Sequence, residues 1–383
     1  MKIVHICMVA YLDGWGYQDN LLPEYMSKAG HDVVVVSSAN HFPSFLKNEE
    51  KERILAKGSD YYLNKVHVYR IQTKLDTSNY NFYCSGLGDI LKKEKPDVIF
   101  HHDVNCTTMM LSWWYCKNNP DTKLFIDSHA DYINESTRKL WNMVVAHGLL
   151  RLCVKIISPR VAKFYGVSPA RCQYLEEVYG ADFSKISLLP IGSDTDLSDT
   201  ISDNEQVLRV KYNLPIDGII IICGGKMGKD KGTQELIRAV IDLKNVVNNI
   251  RLLLFGSFVD EETKQLAESF DCISTHGWCD REKTLELLKL SNIACWPIHH
   301  TTLIEDAIGC AIPIVVRKTG NTSHLIDKNG EYVETGKQEE LISAIKKVID
   351  HYNNYKENAL LQKRKLSYDE IVSQIISDYG IVE

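Results

Sequence analysis

Between Gly224 and Gly232 the chain reads GGKMGKDKG, so three lysines and four glycines share nine residues directly behind the apolar run IDGIIIIC. Ammonium groups on a glycine-rich turn are chemistry for an anion. Glycine lets backbone amides approach closely, and a following helix start adds free N–H groups and the positive end of a dipole. Spacing then separates the candidates. A P-loop closes with G-K-[ST], whereas here Lys231 precedes Gly232 and Thr233, which excludes a nucleoside triphosphatase loop. The other glycine cluster, DGWGYQDN, carries Asp19 where the third glycine of G-x-G-x-x-G belongs. The next apolar run, HDVVVVSS, ends in serines where a dinucleotide fold wants an acid for the ribose, so a nicotinamide dehydrogenase is disfavoured. What remains is a strand, a glycine turn and a helix start carrying Lys226 and Lys231. Two such cations suit a diphosphate, or else form a solvated lysine-rich turn.

Such a loop needs strands to carry it, and the sequence supplies them. KIVHICMVA, HDVVVVSS, VHVYRI, PDVIFHH, TKLFIDSH, VKIISP and KISLLPIG recur in the first half, separated by longer segments of helical period. After the polar stretch PIGSDTDLSDTISDNEQ the pattern restarts with GIIIIC, IRLLLFG, CISTHG, NIACWP and IPIVVR. Alternation of this kind predicts α/β domains, each a doubly wound parallel sheet covered on both faces. At 383 residues the chain is too long for one core and suits two.

A hydrophobic fraction of 44% and a charged fraction of 25% are those of a globular protein, and no apolar run reaches the length of a membrane span. The formal net charge of -6 argues against a nucleic-acid partner. Eleven cysteines without a C-x-x-C pair suggest reduced thiols and a cytoplasmic setting. MKIVHICMVA is expected to be a buried strand and not a leader, because His5 interrupts its apolar core and Asp13 follows it.

Taken in order, several motifs resemble the family 4 glycosyltransferases, retaining nucleotide-sugar enzymes of the GT-B fold. Gly225 to Gly232 is similar to that family's G-R-x-x-x-x-K-G, with Lys226 in the arginine's place. FYGVSPARCQYLEEVYGADFSKISLLPIGSDTDL, GYQDNLLPEYMSKAGHDVVVVSS, HGWCDREKTLELLKLSNIACWP and DAIGCAIPIVVRKTGNTSHLI resemble further stretches of it, the likeness being least between residues 40 and 95. The resemblance implies two Rossmann-like domains facing across a cleft. Residues 1–195 would bind the acceptor and 196–360 the donor, and a C-terminal helix in 361–383 would cross back toward the first domain.

It also implies roles residue by residue. Lys226 and Lys231 would hold the donor diphosphate and stabilise charge on it as the glycosidic bond breaks, aided by Gly14 and Gly16 and by the amides of Thr302 and Leu303. Asp306, in DAIGCAIP, falls on the glutamate that binds the donor ribose, with Glu305 beside it; a plain helix-start acid is the alternative. Ile298 stands where the family has a second acid, so His299, His300 or Thr301 would make the sugar contacts. Gly277 and Trp278 fall on the stretch that meets the nucleobase, although Trp278 can equally be a packing residue. His129, in DSHADY, falls beside the transferred sugar, and Asp103, with His101 or His102, at an edge that can touch the acceptor. No metal and no other cofactor is implied.

The expected activity is retaining transfer of a hexosyl group from a nucleotide diphosphate-sugar, UDP-linked, to a hydroxyl on a glycan or glycolipid. A nucleotide-sugar epimerase or hydrolase of the same fold, or an inactive GT-B binding subunit, are the alternatives. Residues 138–175 hold Arg138, Lys139, Arg151, Lys155, Arg160, Lys163 and Arg171 and no acid. This segment is read either as a surface for peripheral contact with an anionic membrane or as a solvated helix face.

Overall fold

Sixteen strands are present among the described residues of the computed structural model, which are 1–12, 15–43, 46–74, 83–133 and 139–380. Chain contacts divide the molecule into two units, Met1–Pro190 with Ile371–Glu383, and Ile191–Glu370.

In the first unit the strands are β1 (Lys2–Cys7), β2 (Asp32–Ser38), β3 (Asp60–Leu63), β4 (Val66–Ile71), β5 (Thr73–Lys74), β6 (Tyr83–Cys84), β7 (Val98–His101), β8 (Lys123–Ser128), β9 (Val161–Gly166) and β10 (Ile186–Leu188). Eight of them form one sheet in the order β10-β9-β8-β7-β1-β2-β4-β3, and β5 pairs only with β6. Within the large sheet every pairing is parallel except β3 with β4. Both faces are covered: Val4 and Ile6 are as buried as Ile3, and Ile99 as Phe100. That is why these strands read as unbroken apolar runs and not as alternating ones. The winding reverses between β1 and β7, so their carboxyl ends open at a topological switch point, where open α/β sheets bind ligands.

One expected strand is a helix. The apolar part of VKIISP, Val154 to Ile157, ends the helix Arg151–Ile157, joined to the helix Lys139–Val144 by π-helical turns over Val145–Leu150. Buried Ala146, Leu150, Cys153, Val154 and Ile157 recur at three to four residues, a helical period hidden in a short apolar run. The strand that does occupy this place is β9, whose pattern is interrupted by Lys163.

The second unit holds β11 (Ile219–Met227), β12 (Ile250–Phe258), β13 (Ile273–His276), β14 (Ile293–Trp296), β15 (Ile314–Arg317) and β16 (Gly330–Val333). All are parallel, in the order β13-β12-β11-β14-β15-β16, with the reversal between β11 and β14. Helix Thr233–Leu243 buries Leu236, Ile237, Val240 and Leu243 along one stripe.

The last helix, Tyr368–Tyr379, begins in the second unit and ends in the first. Lys163 Nζ and the Tyr165 hydroxyl each donate to Asp378 at 2.7 Å, and the Tyr379 ring lies 4.4 Å from that of Phe125. Where the chain enters and leaves the second unit, Ser193 N–H donates to the Leu366 carbonyl at 2.7 Å, and the Tyr368 N–H to that of Ser193 at 3.3 Å.

Candidate functional site

The expected glycine turn is not a turn at its start. β11 runs through Gly224, Gly225 and Lys226 to Met227, paired residue for residue with Phe255, Gly256, Ser257 and Phe258 of β12. The glycines are needed for closeness: a Cβ on Gly224 would stand 2.1 Å from the Phe255 ring, and one on Gly256, at φ +114°, 2.1 Å from the Gly225 carbonyl oxygen. Lys226 is therefore held on extended backbone at the carboxyl edge and not on a helix start. It is exposed, and its ammonium forms no ion pair or hydrogen bond among the described residues. Lys231 ends a 3-10 turn, Lys229–Lys231, and its Nζ lies 3.4 Å from Asp230. The long helix starts at Thr233, whose hydroxyl accepts from the Gly228 N–H at 3.1 Å.

The neighbouring loops close around this edge. Gly256 N–H donates to the Gly277 carbonyl at 3.0 Å, which sets the Gly277–Trp278 turn two strands from Lys226. Space beside Gly277 is open, and Trp278 is 71% exposed, so it does not serve as a packing residue. Across the switch point, the Trp296 indole N–H donates to the Gly224 carbonyl at 3.0 Å. A Cβ on Gly232, at φ +73°, would come within 2.7 Å of Ile298, and Leu303 lies 3.5 Å from where a Gly225 Cβ would be. Ile298 is thus a packing side chain, and the polar groups of this loop are His299, which is exposed, His300, Thr301 and Thr302.

The two acids of helix Leu303–Gly309 differ in what they have left to offer. Arg281 Nη1 donates to Asp306 Oδ2 at 2.5 Å, with side chains 22% and 8% exposed. Arg281 opens the helix that follows the Trp278 turn, so this pair ties the expected ribose acid to the expected base-binding segment. Glu305 takes His300 Nε2 on Oε1 at 2.8 Å, while its Oε2 is buried with no hydrogen-bond partner among the described residues. A buried carboxylate oxygen without a donor calls for one, and a sugar or ribose hydroxyl would supply it. Of the two acids, Glu305 is the one that keeps a buried oxygen without a hydrogen-bond partner among the described residues.

In the first unit His129 follows β8, and Arg171 Nε donates to its carbonyl at 3.0 Å. Its ring faces inward at Nε2, 3.6 Å from Asp127 Oδ2, with the side chain 35% exposed. Asp127 also accepts from His102 Nδ1 at 2.9 Å and from the Asp103 N–H at 2.7 Å. Its burial pushes the carboxyl up, but His102 and then His129 outweigh this and hold it well below the usual carboxylate range. Asp103 sits at φ +65° and turns its carboxylate onto Asn105, whose N–H and side-chain amide donate to it at 3.2 and 3.0 Å. His101, the last residue of β7, is buried against Thr108 Oγ1 at 3.0 Å, and burial pushes it down to about 4.

Gly16 precedes the helix Gln18–Lys28, beside stacked Trp15 and Tyr17 rings 5.8 Å apart. Gly14 lies outside the described residues, as does Arg138. Asp127 and His5 carry no motif of their own. The only signal was their type, ionisable groups inside apolar strands. Among the described residues no three His, Cys, Asp or Glu side chains are grouped to hold a metal ion, and no helix is long and apolar enough to cross a membrane.

Residues 22–197 match the family described as Glycosyltransferase Family 4, and residues 218–351 match Glycosyl transferases group 1. A D-inositol 3-phosphate glycosyltransferase of Xylanimonas cellulosilytica is 26% identical over 179 residues, 42% of this chain. The match spans 42% of that relative's own length. Among solved structures, a glycosyltransferase from Rickettsia africae superposes with a TM-score of 0.70 at 17% identity, covering 99% of this chain and 97% of its own. Anabaena HepE in complex with UDP superposes at 0.68 and 15% identity, covering all of both chains.

Proposed function

We propose that this chain, which belongs to the family 4 glycosyltransferases and has their GT-B fold, moves a hexosyl group from a UDP-sugar to a hydroxyl on a glycan or glycolipid, with retention at the anomeric carbon. The observation that carries this reading is Lys226. An ammonium with no partner among the described residues, on extended backbone at a sheet's switch point, is placed for the charge of a leaving diphosphate, and preorganised charge of this kind supplies much of the rate enhancement in many enzymes. Solved structures of HepE with UDP and with UDP-glucose support the choice of donor. WaaG, which superposes at a TM-score of 0.61 and 14% identity, is a glycosyltransferase involved in lipopolysaccharide biosynthesis, which favours a surface glycan or glycolipid as acceptor.

In this mechanism the base lies on the Gly277–Trp278 turn, and ribose or sugar hydroxyls donate to Glu305, with the Asp306–Arg281 pair behind. His299, His300 and Thr301 are the polar groups near the sugar, and the amides of Thr302 and Leu303 serve the phosphates. As the bond from the anomeric carbon to the distal phosphate oxygen breaks, its electron pair passes to the phosphate. Lys226, with Lys231, balances that charge. The acceptor oxygen attacks from the same face and gives its proton to the leaving phosphate, so no enzyme nucleophile is required. The lysines take the place a divalent ion has in other sugar transferases, and the proposal includes no metal.

A thermal-shift panel of nucleoside diphosphates and their sugars tests the donor side. UDP and at least one UDP-sugar should raise Tm, by an amount equivalent to about 2.7 kcal/mol at a hundredfold excess over Kd. No shift with any nucleotide would remove the proposal. Release of free sugar or an epimer at full rate without an acceptor would move it to the hydrolase or epimerase class.

Peripheral membrane contact through residues 138–175 is retained on a different footing from the basic count. Arg151, Arg160 and Arg171 spend their guanidinium groups on backbone carbonyls, and Lys163 is paired with Asp378. What faces solvent is apolar: Leu140, Met143, Val144, Leu152 and Ile156, with Lys155 among them. We expect the protein to float with vesicles containing phosphatidylglycerol. Leu140→Asp with Leu152→Asp should weaken this by roughly tenfold or more, since each leucine inserted is worth about 1.5–3 kcal/mol, without changing nucleotide-induced Tm shifts. Equal flotation of both proteins, or none of either, removes the contact.

A further inference from the structure

Helix Leu303–Gly309, which carries both Glu305 and Asp306, has seven residues, too few to hold itself in place by its own hydrogen bonds. It is gripped from outside, by the segment in which the chain enters the second unit. Ser193, fully buried, donates its hydroxyl to the Glu305 carbonyl at 2.6 Å. One turn further along the helix, the buried Ser198 hydroxyl lies 3.2 Å from the Gly309 carbonyl. The approach is close because residue 309 has no side chain: a Cβ there would stand 2.8 Å from the Ser193 Cβ and 3.3 Å from its Oγ.

The gripping segment is itself fixed. Asp194 caps the helix Thr195–Thr200 by accepting from the Leu197 N–H at 3.2 Å. The Ser193 backbone is held between the Leu366 carbonyl and the Tyr368 N–H. Two anchored points, at 305 and at 309, set the rotation of the short helix about its axis. That rotation decides what the two acids face, since consecutive helical residues point about 100° apart. In the observed setting Asp306 meets Arg281, while Glu305 meets His300 on Oε1 and keeps Oε2 buried without a partner among the described residues.

We propose that Ser193 is the positioning residue for Glu305: its hydroxyl, seated against Gly309, fixes the rotation of the helix at which the Glu305 carboxylate meets a ligand hydroxyl. The ligand is the ribose of the donor proposed above, and in this respect the inference rests on that reading. In this role Ser193 touches no substrate; its whole effect passes through one carbonyl. A rotated helix leaves the carboxylate intact but misaimed, and a hydrogen bond weakens steeply once its angle is lost. Ser193→Ala should therefore weaken donor binding without removing any group that binds the donor.

Titration of UDP against the full chain, with Tm measured for each protein, is the test. Ser193→Ala should raise the Kd for UDP by about tenfold, the loss expected when one hydrogen bond to a charged group is misaligned. Combined with Glu305→Gln it should add nothing to the loss that Glu305→Gln causes alone, because a residue that acts through another is silent once that other is removed. Ser193→Cys keeps a weak donor in a similar volume and should fall between; it carries the same cycle should Ser193→Ala not fold. A second readout needs no nucleotide. In nitrogen-15 NMR of the histidine-labelled chain, Ser193→Ala should displace the ring signals of His300, whose Nε2 lies 2.8 Å from Glu305 Oε1, and leave those of His67 in the first unit in place. Losses that add in the double variant, a UDP affinity equal to wild type in Ser193→Ala, or unmoved His300 signals overturn the proposal. A wild-type chain that binds no nucleotide would remove the donor reading; displaced His300 signals would then keep the hold of Ser193 on Glu305 and discard only the ligand it serves.

Discussion

Lys226→Ala should lower kcat/KM for sugar transfer by about 10²–10³-fold, the loss typical of removing one preorganised partner of developing charge. Stability should hardly change, because the Lys226 side chain is exposed and has no partner among the described residues to be stranded. The effect should fall on kcat more than on KM, since the charge to be balanced grows as the bond to the phosphate breaks. Lys226→Arg should recover much of the rate, because a guanidinium keeps the charge and adds a fork that fits phosphate oxygens. Lys231→Ala should cost less, as its ammonium already shares field with Asp230 at 3.4 Å. Initial rates at low donor concentration, with the melting temperature measured alongside, decide the matter. A Lys226→Ala enzyme within a factor of three of wild type would take the diphosphate away from this loop.

Asp306→Ala is expected to act first on the fold. It leaves Arg281, only 22% exposed, facing a position without charge. Removing one member of a largely buried pair costs about 3 kcal/mol, equivalent to a fall of roughly 10 °C in Tm. Replacing both members, as in Arg281→Met with Asp306→Leu, should restore most of that stability because neither charge remains to be solvated. Glu305→Gln should show the opposite profile, with a small change in stability and weakened binding of UDP, because its Oε2 has no partner among the described residues to lose and a ligand hydroxyl to gain. Urea unfolding and UDP titration of the four proteins separate these outcomes. If UDP stabilises Glu305→Gln as well as wild type and fails on the folded double variant, the ribose contact returns to Asp306.

The strands were legible wherever a short apolar run stood alone, as in DVVVVSS and IRLLLFG, because two covered faces demand unbroken hydrophobicity. VKIISP misleads because a short run with three apolar residues suits a buried helix edge as well as a strand, and the true strand beside it is broken by Lys163, which is there for Asp378. GGKMGKDKG could be located at the end of a strand from neighbouring residues alone. Its backbone could not be read, because extended geometry through Gly224 and Gly225 depends on Phe255 and Gly256, some thirty residues away. The same holds more strongly for the buried polar groups behind His129. His5, His102 and Asp127 lie in three separate segments, and each alone reads as a polar interruption of a core strand. Only the sheet order that sets β7 between β1 and β8 makes them neighbours. Asp306 and Glu305 were separable only by where Arg281 and His300 fall in space.

The peptide crosses from one half to the other twice, near Pro190 and near Glu370, and the two crossings are stitched together by the Ser193 and Leu366 backbone groups. A chimera that borrows a foreign second unit therefore needs two junctions. A single splice near residue 190 would discard the native tail, leaving Lys163 and Tyr165 without Asp378 and baring the surface that Tyr379 covers. Recombination in this lineage would be expected to respect that return stitch, exchanging the middle of the gene as a cassette while its two ends descend together.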